Sequence, residues 1–219
     1  MTSAVILGNG EPPSRELFTE LMATRPMLLC ADGGANVARQ YGYTPDWVVG
    51  DLDSITAESR GEEQRVRQVD AENTGTDLLK VLHQAIEVGV MQAVITGVTG
   101  RRSDHSLWNL NLLKRFADQM LLRISDDYNH IYLIRARISF TTAVGQKVSL
   151  CPLNSTVRGI STEGLRWSLQ GETLSQERDG ISNEVISSPV TITVSGSGDL
   201  LLIIQCEEGG GAHEVIPMT

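Results

Sequence analysis

Asp51 and Asp53 stand two apart at the end of an apolar run, in WVVGDLDSI (residues 47–55). In an extended segment, side chains at i and i+2 share a face. Two like charges about 6 Å apart repel by roughly 3 kcal/mol at an effective dielectric near 20. A surface turn would relax that cost in water. A cleft would use it to hold a hard cation such as Mg2+, which favours carboxylate oxygen and commonly shares its shell with substrate phosphates. Other acids sit at comparable places: Asp32 after MLLCA, Asp77 after VRQVD and Asp104 after VITG. One acid at a helix start is ordinary dipole compensation, about 0.3–1 kcal/mol. Several at successive strand ends of one sheet edge favour a ligand site, because open α/β sheets bind ligands beyond the carboxyl ends of their strands.

Glycines and cations mark the same edge. Gly33 and Gly34 in ADGGAN allow close backbone approach or positive φ. Gly97 and Gly100 frame a loop ending in Arg101 and Arg102, whose guanidinium groups and free N–H donors suit phosphate oxygens. Lys80 lies one helical turn after Asp77, so phosphate binding and a solvated ion pair both stay open for it. Gly8-Asn9-Gly10 lacks the third glycine of a dinucleotide fingerprint, and no Walker-type loop occurs. There is no serine nucleophile elbow, no paired histidines for zinc and no cysteine beside a histidine. A carboxylate cluster with a cationic loop suits phosphoryl transfer, where the protein mainly positions groups and stabilises charge.

The elements that must position these residues alternate. SAVILGNG, MLLCADGG, WVVGD, VRQVD, QAVITG and LLRISDD read as strands. Between them run helical patterns: PSRELFTELMATR with Ser14 as N-cap, ANVARQYGY stopped near Gly42, TDLLKVLHQAIEVG capped by Thr76, and SDHSLWNLNLLKRFADQM capped by Ser103. This predicts an α/β N-terminal domain over 1–127 with a mostly parallel, Rossmann-like sheet. From about residue 128 the chain breaks into short β-rich runs with Gly, Ser, Asn and Pro between them. That predicts an antiparallel all-β sandwich domain over 128–219.

Composition sets outer bounds. The chain has 219 residues, is 41% hydrophobic and 21% charged, and carries a net charge of −9, which argues against a nucleic-acid partner. No apolar run approaches the roughly 20 residues of a membrane span, and the N-terminus lacks a signal-peptide pattern. Three separated cysteines make a disulfide framework or zinc site a poor reading. A cytoplasmic protein without membrane association is expected.

The motifs ADGGAN (31–36), PDWVVGDLDSI (45–55), TDLLKVL (76–82) and G-x-x-G-x-R-x-DH-x-x-x-N (97–109), with a fainter EGLRWSL (163–169) and SNE (182–184), resemble the thiamin pyrophosphokinase family. The resemblance spans nearly the whole chain. It implies Mg2+-dependent transfer of the β,γ-pyrophosphoryl unit of ATP to the hydroxyl of thiamin, giving thiamin pyrophosphate and AMP. It further implies a homodimer with active sites at the subunit interface. Carried over residue by residue, Asp51, Asp53 and Asp77 would hold Mg2+. Asp32, Gly33, Gly34, Asn36, Lys80, Arg102, His105 and Asn109 would line the nucleotide site, with Arg102 stabilising the transferred group. Asp104 would orient thiamin. Asn73, Thr76, Trp167, Ser182 and Asn183 would contact it.

Read from the residues alone, Trp167 between Leu165 and Leu169 suits a sandwich core, and His105 a helix-start cap. The sequence also departs from the family pattern. Arg101 stands where a second glycine is usual, Ser103 where an apolar residue is frequent, Asn73 and Thr74 where Gln, Asp or Glu is common, and Gly180 near a usual serine. These departures bear on affinity and nucleotide preference more than on reaction class. Two other readings use the same residues: a metal-dependent nucleotide phosphohydrolase, and a thiamin- or nucleotide-binding sensor without catalysis.

Overall fold

The computed structural model describes residues 2–56, 65–68, 75–153, 156–178, 180–206 and 215–218. The chain divides into two compact units, Met1–Asp127 and Tyr128–Thr219.

The first unit alternates strand and helix: β1 Ser3–Leu7, α1 Arg15–Met22, β2 Met27–Ala31, α2 Gly34–Gln40, β3 Trp47–Gly50, β4 Arg65–Gln68, α3 Asp77–Glu87, β5 Gln92–Thr96, α4 Ser103–Phe116 and β6 Leu121–Ser125. Its strands lie in the order β6-β5-β1-β2-β3-β4, and the five ladders joining them are parallel. From β1 the chain steps outward through β2, β3 and β4, then returns to lay β5 on the other side of β1. The order reverses between β1 and β5, and such a reversal leaves a crevice at the carboxyl ends of the two strands. The two strands at the centre, β1 and β2, are buried along their length after a partly exposed first residue. Strands that are buried on both faces read this way.

Helix starts follow the side chains available. Ser14 Oγ accepts from Leu17 N at 3.2 Å, and Thr76 Oγ1 accepts from Leu79 N at 3.4 Å. Helix α4 differs from the sequence reading. Arg102 occupies the N-cap position without a side-chain cap, and Ser103 is already helical. Its first turn is closed instead by Ser106, whose N–H and hydroxyl both donate to Arg102 O at 3.0 Å. The pattern also overran the helix end, since the chain leaves α4 after Phe116.

On one side of the sheet Val5, Leu7, Leu28, Cys30 and Val48 pack with Phe18, Ala35 and Ala38. Phe18 is fully buried, with Tyr43 edge-on at 5.2 Å and Tyr41 tilted at 5.7 Å between centroids.

The second unit contains only strands among its described elements: β7 Asn129–Ile134, β8 Arg137–Phe140, β9 Lys147–Pro152, β10 Val157–Glu163, β11 Gln170–Leu174, β12 Gly180–Glu184, β13 Val190–Val194, β14 Leu200–Gln205 and β15 Val215–Met218. They form two antiparallel layers, β12-β9-β14-β7 and β11-β10-β13-β8-β15. Residues of both layers, including Tyr132, Leu150 and Leu202 from one and Phe140, Ile160 and Ile192 from the other, share a single core. Alternating inward residues of facing sheets produce such a core.

Phe18→Ala removes a fully buried ring whose neighbours are themselves large, and is expected to cost about 3–5 kcal/mol. Urea denaturation of the variant should show a lower midpoint for the N-terminal unit with little change in slope.

Candidate active site

The crevice predicted by the strand order is present in the N-terminal unit as a cleft of about 480 Å³. Its floor and one wall come from Gly8, Asn9, Gly10, Gly97 and Val98, at the ends of β1 and β5. Asp51, Thr76 and Asp77 supply acid and hydroxyl groups, while Lys80, Arg101, Arg102 and His105 supply basic ones. Glycine is required at the floor. A Cβ on Gly8 would lie 2.6 Å from Gly97 O, and one on Gly10 would lie 2.8 Å from it. The close approach lets Gly10 N donate to Gly97 O at 2.7 Å. The Gly8-Asn9-Gly10 turn was discounted above for lacking a dinucleotide fingerprint. Its position after the first strand was the usable signal.

Carboxylate oxygens of Asp32, Asp51 and Asp53 all come within 4.8 Å of one another. Opposite ligands of an octahedral Mg2+ stand about 4.2 Å apart, so the cluster is close to the spacing such an ion imposes. Asp32 is 3% exposed, and its Oδ1 is buried without a hydrogen-bond partner among the described residues. An acceptor left in that state is costly unless something positive reaches it. The donor set therefore fits a hard divalent cation. Burial pushes the Asp32 carboxyl above its ordinary value; a hydrogen bond from Ser54 opposes this, and the charges of Asp77, Asp53 and Asp51 add to the rise.

The cluster arises from two backbone devices that the sequence did not display. Asp32 itself adopts φ +42, whereas Gly33 at φ −59 is right-handed. Gly33 and Gly34 are instead glycine for space: added Cβ atoms would lie 2.5 Å from the Asn9 side chain and 2.4 Å from Leu7 O. The Asp51–Asp53 segment is a turn and not extended, with Leu52 at φ +66 and Asp53 N donating to Asp51 Oδ1 at 3.4 Å. Asn36 clamps that turn. Its Nδ2 donates to Ser54 O at 2.8 Å and its Oδ1 accepts from Thr56 N at 3.1 Å. Gly33, Gly34 and Asn36, expected at the nucleotide, are not among the residues that line the cleft; Asn36 holds the carboxylate turn in place.

Asp77, expected as the third metal carboxylate, is outside the close group. It lines the cleft beside Lys80, whose Nζ donates to its Oδ1 at 2.8 Å. Arg102 and Asp104 are joined by two bonds of 2.6 and 3.2 Å. Chiefly through the hydrogen bond from Arg102, the Asp104 carboxyl is held down to about 2. Asn109 is buried and donates to Val98 O at 2.8 Å, leaving Oδ1 without a partner among the described residues. Thr76 lines the cleft, but its hydroxyl oxygen serves as the α3 cap. Asn73 lies outside the described residues.

In the second unit Leu165 and Leu169 are buried, yet Trp167 between them is 57% exposed. The core reading of Trp167 is therefore wrong. The segment leaves regular strand geometry after β10, so period-2 alternation no longer applies. Asn183 holds the tryptophan in place: its Nδ2 donates to Trp167 O at 2.8 Å and its Oδ1 accepts from Trp167 N at 3.1 Å. Ser182 sits at φ +58 where the β12–β9 register shifts. A bulge of this kind re-aims side chains.

Comparison with known proteins gives this arrangement a family. Residues 18–124 match the sequence signature described as thiamin pyrophosphokinase, catalytic domain. Residues 135–197 match that of the family's vitamin B1 binding domain. The chain belongs to the thiamin pyrophosphokinase family. Thiamine pyrophosphokinase 1 of Arabidopsis thaliana is 29% identical over 228 residues, covering 88% of this chain and 83% of its own. The thiamine pyrophosphokinase of Bacillus subtilis (strain 168) is 29% identical over 185 residues, covering 78% and 84%. The fold is shared with crystal structures of thiamine pyrophosphokinases from Bacillus subtilis and Geobacillus thermodenitrificans. Their TM-scores are 0.80 and 0.81, each at 24% identity, covering 94% and 95% of this chain and 99% of each of theirs.

The raised Asp32 carboxyl has a definite sign. The folded state binds this proton more tightly than the unfolded chain, so the contribution is complete below the unfolded carboxylate range. It is lost as pH rises through the higher folded value. In chelator, Asp32→Asn is expected to melt above wild type near pH ~8, with the gap closing toward pH ~4. Added Mg2+ should raise the melting temperature of wild type and leave that of the variant nearly unchanged. Differential scanning fluorimetry checks both, and a variant less stable than wild type at the higher pH would contradict this account.

Proposed function

We propose that this chain transfers the β,γ-pyrophosphoryl unit of ATP to the hydroxyl of thiamin, giving thiamin pyrophosphate and AMP. The observation that carries the reading is one cleft in which Asp51 and Asp77 line the wall with Lys80, Arg101 and Arg102 beside glycine turns, with Asp32 and Asp53 within 4.8 Å of Asp51. When bound, Mg2+ at Asp32, Asp51 and Asp53 supplies charge neutralisation for the polyphosphate. Asp77, expected as a ligand from the motif, adds negative charge nearby and orients Lys80. Lys80 and Arg102 meet phosphate oxygens, so that charge moving toward the leaving AMP is stabilised in place. In the transfer the thiamin hydroxyl oxygen bonds to the β-phosphorus and gives up its proton to solvent, while the bond from that phosphorus to the oxygen shared with the α-phosphate breaks and AMP leaves with that oxygen. Asp104, ionised and tied to Arg102, is a feeble proton acceptor with a value of about 2; its part is orientation of thiamin. Asn109 Oδ1 and His105 serve the nucleotide side.

From the second unit Trp167 offers an exposed ring suited to the cationic thiazolium, with Asn183 as its support and Ser182 preceding Asn183 in β12. The working assembly in this reading is a cytoplasmic homodimer, and sedimentation giving a monomer at assay concentration would count against it.

Incubation with ATP, Mg2+ and thiamin, followed by chromatography of both product sets, is expected to give equimolar AMP and thiamin pyrophosphate. Nucleotide loss without thiamin product would instead point to a hydrolase, and thiamin binding without turnover to a sensor. Asp51→Asn and Asp53→Asn should each lower turnover about 10²–10³-fold, the scale of losing one charge-stabilising group, with unchanged circular dichroism. Normal turnover in either variant would sink the metal assignment.

A further inference from the structure

Three long cationic side chains line the cleft, and they are held very differently. Lys80 is 2.8 Å from Asp77, with its side chain 4% exposed. Arg102 is fixed to Asp104 by two hydrogen bonds. Arg101 Nε meets Glu11 Oε2 at 3.5 Å, with the two side chains 56% and 62% exposed. A long, solvated pair of that kind contributes little. Arg101 is thus the cation that can turn toward an incoming anion at least cost.

Backbone, not this ion pair, sets where the two residues stand. Gly10 N donates to Gly97 O at 2.7 Å and Glu11 N to Thr99 O at 2.9 Å, joining the loop after β1 to the loop after β5. A Cβ on Gly100 would lie 2.7 Å from Glu11 Cβ, so the loops touch there only because Gly100 has no side chain. Arg101 follows at φ +44, a left-handed conformation that L side chains seldom occupy. Strain of this sort persists where surrounding contacts over-determine it, and it concentrates at ligand clamps.

Resting on the pyrophosphoryl-transfer reading, we infer that Arg101 binds the polyphosphate of the incoming nucleoside triphosphate, and that Glu11 is a placeholder carboxylate which phosphate displaces. A guanidinium exchanges one distant carboxylate for phosphate oxygens that can take both arms of its fork. After transfer only a monophosphate is left on the nucleotide, and Glu11 recaptures Arg101 as AMP departs.

The test is calorimetric titration with a non-hydrolysable ATP analogue and Mg2+, on wild type, Glu11→Gln, Arg101→Gln and the double variant. Arg101→Gln should weaken binding about tenfold or more, as for loss of a hydrogen bond to a charged group. Glu11→Gln should tighten it about two- to fivefold, the scale of an exposed ion pair released from competition. The double variant should match Arg101→Gln alone. A latch that is merely structural would move both single variants in the same direction, and that result overturns the inference, as does an affinity indifferent to Arg101. Arg101→Gly, which relieves the left-handed backbone while removing the charge, should weaken binding similarly and serves if Arg101→Gln folds poorly. Wild type that binds no nucleotide overturns the transfer reading along with this one, whereas nucleotide binding that ignores Arg101 overturns this one alone.

Discussion

Like charges gathered around one carboxylate that is nearly sealed from water are the constraint around which the N-terminal unit is arranged. Asp32 is nearly sealed from solvent and keeps one oxygen without a hydrogen bond among the described residues, and Asp51 and Asp53 are turned toward it. Left to local preferences, the Asp51–Asp53 turn would carry its acids away from Asp32. It is prevented from doing so by Leu52, which packs against the core of β1, β2 and β3, and by Asn36, which grips the turn at Ser54 and Thr56. Gly50 contributes by absence, since a Cβ there would stand 2.8 Å from Asp32 Cβ. Hydrophobic burial of Leu52 and two amide hydrogen bonds offset part of that repulsion.

The three long cations of the cleft are held unequally: Lys80 tightly and almost buried, Arg102 by two bonds although it is exposed, and Arg101 loosely although it is no more exposed than Arg102. Burial leaves Lys80 no solvent to satisfy it, so it requires a close partner. Exposure frees Arg101 from that requirement.

Much of this was legible in the sequence because it rests on local rules. Ser14 and Thr76 announce their helices through hydroxyl caps, and the GDLDS, TD and R-x-DH motifs lead to residues that do converge on one sheet edge. What was not legible depends on non-local backbone. The left-handed residue of ADGGAN is Asp32 and not a glycine, and Gly33 and Gly34 lack side chains because Asn9 and Leu7, at the end of β1, crowd them. Asp51 and Asp53 meet through a turn at Leu52, a conformation no propensity assigns to leucine. Trp167 faces outward because the chain after β10 drops out of strand geometry, defeating the period-2 pattern. The Gly8-Asn9-Gly10 turn mattered through its neighbour Gly97, nearly 90 positions away, and no short motif records that contact.

The central place of β1 has a consequence for synthesis. Ser3 is paired with Gln92 and Ala4 with Met27, so during synthesis β1 gains one neighbour early and the other only about 90 residues later. At roughly 5–20 residues per second, one hydrogen-bonding edge of SAVIL waits about 5–20 s without its mate, presenting an apolar strand edge of the kind that recruits other chains. The cleft floor does not exist during that interval, because Gly8 and Gly10 close against Gly97. A nascent chain therefore acquires its sheet edge, its ligand crevice and its protection from aggregation in a single late step.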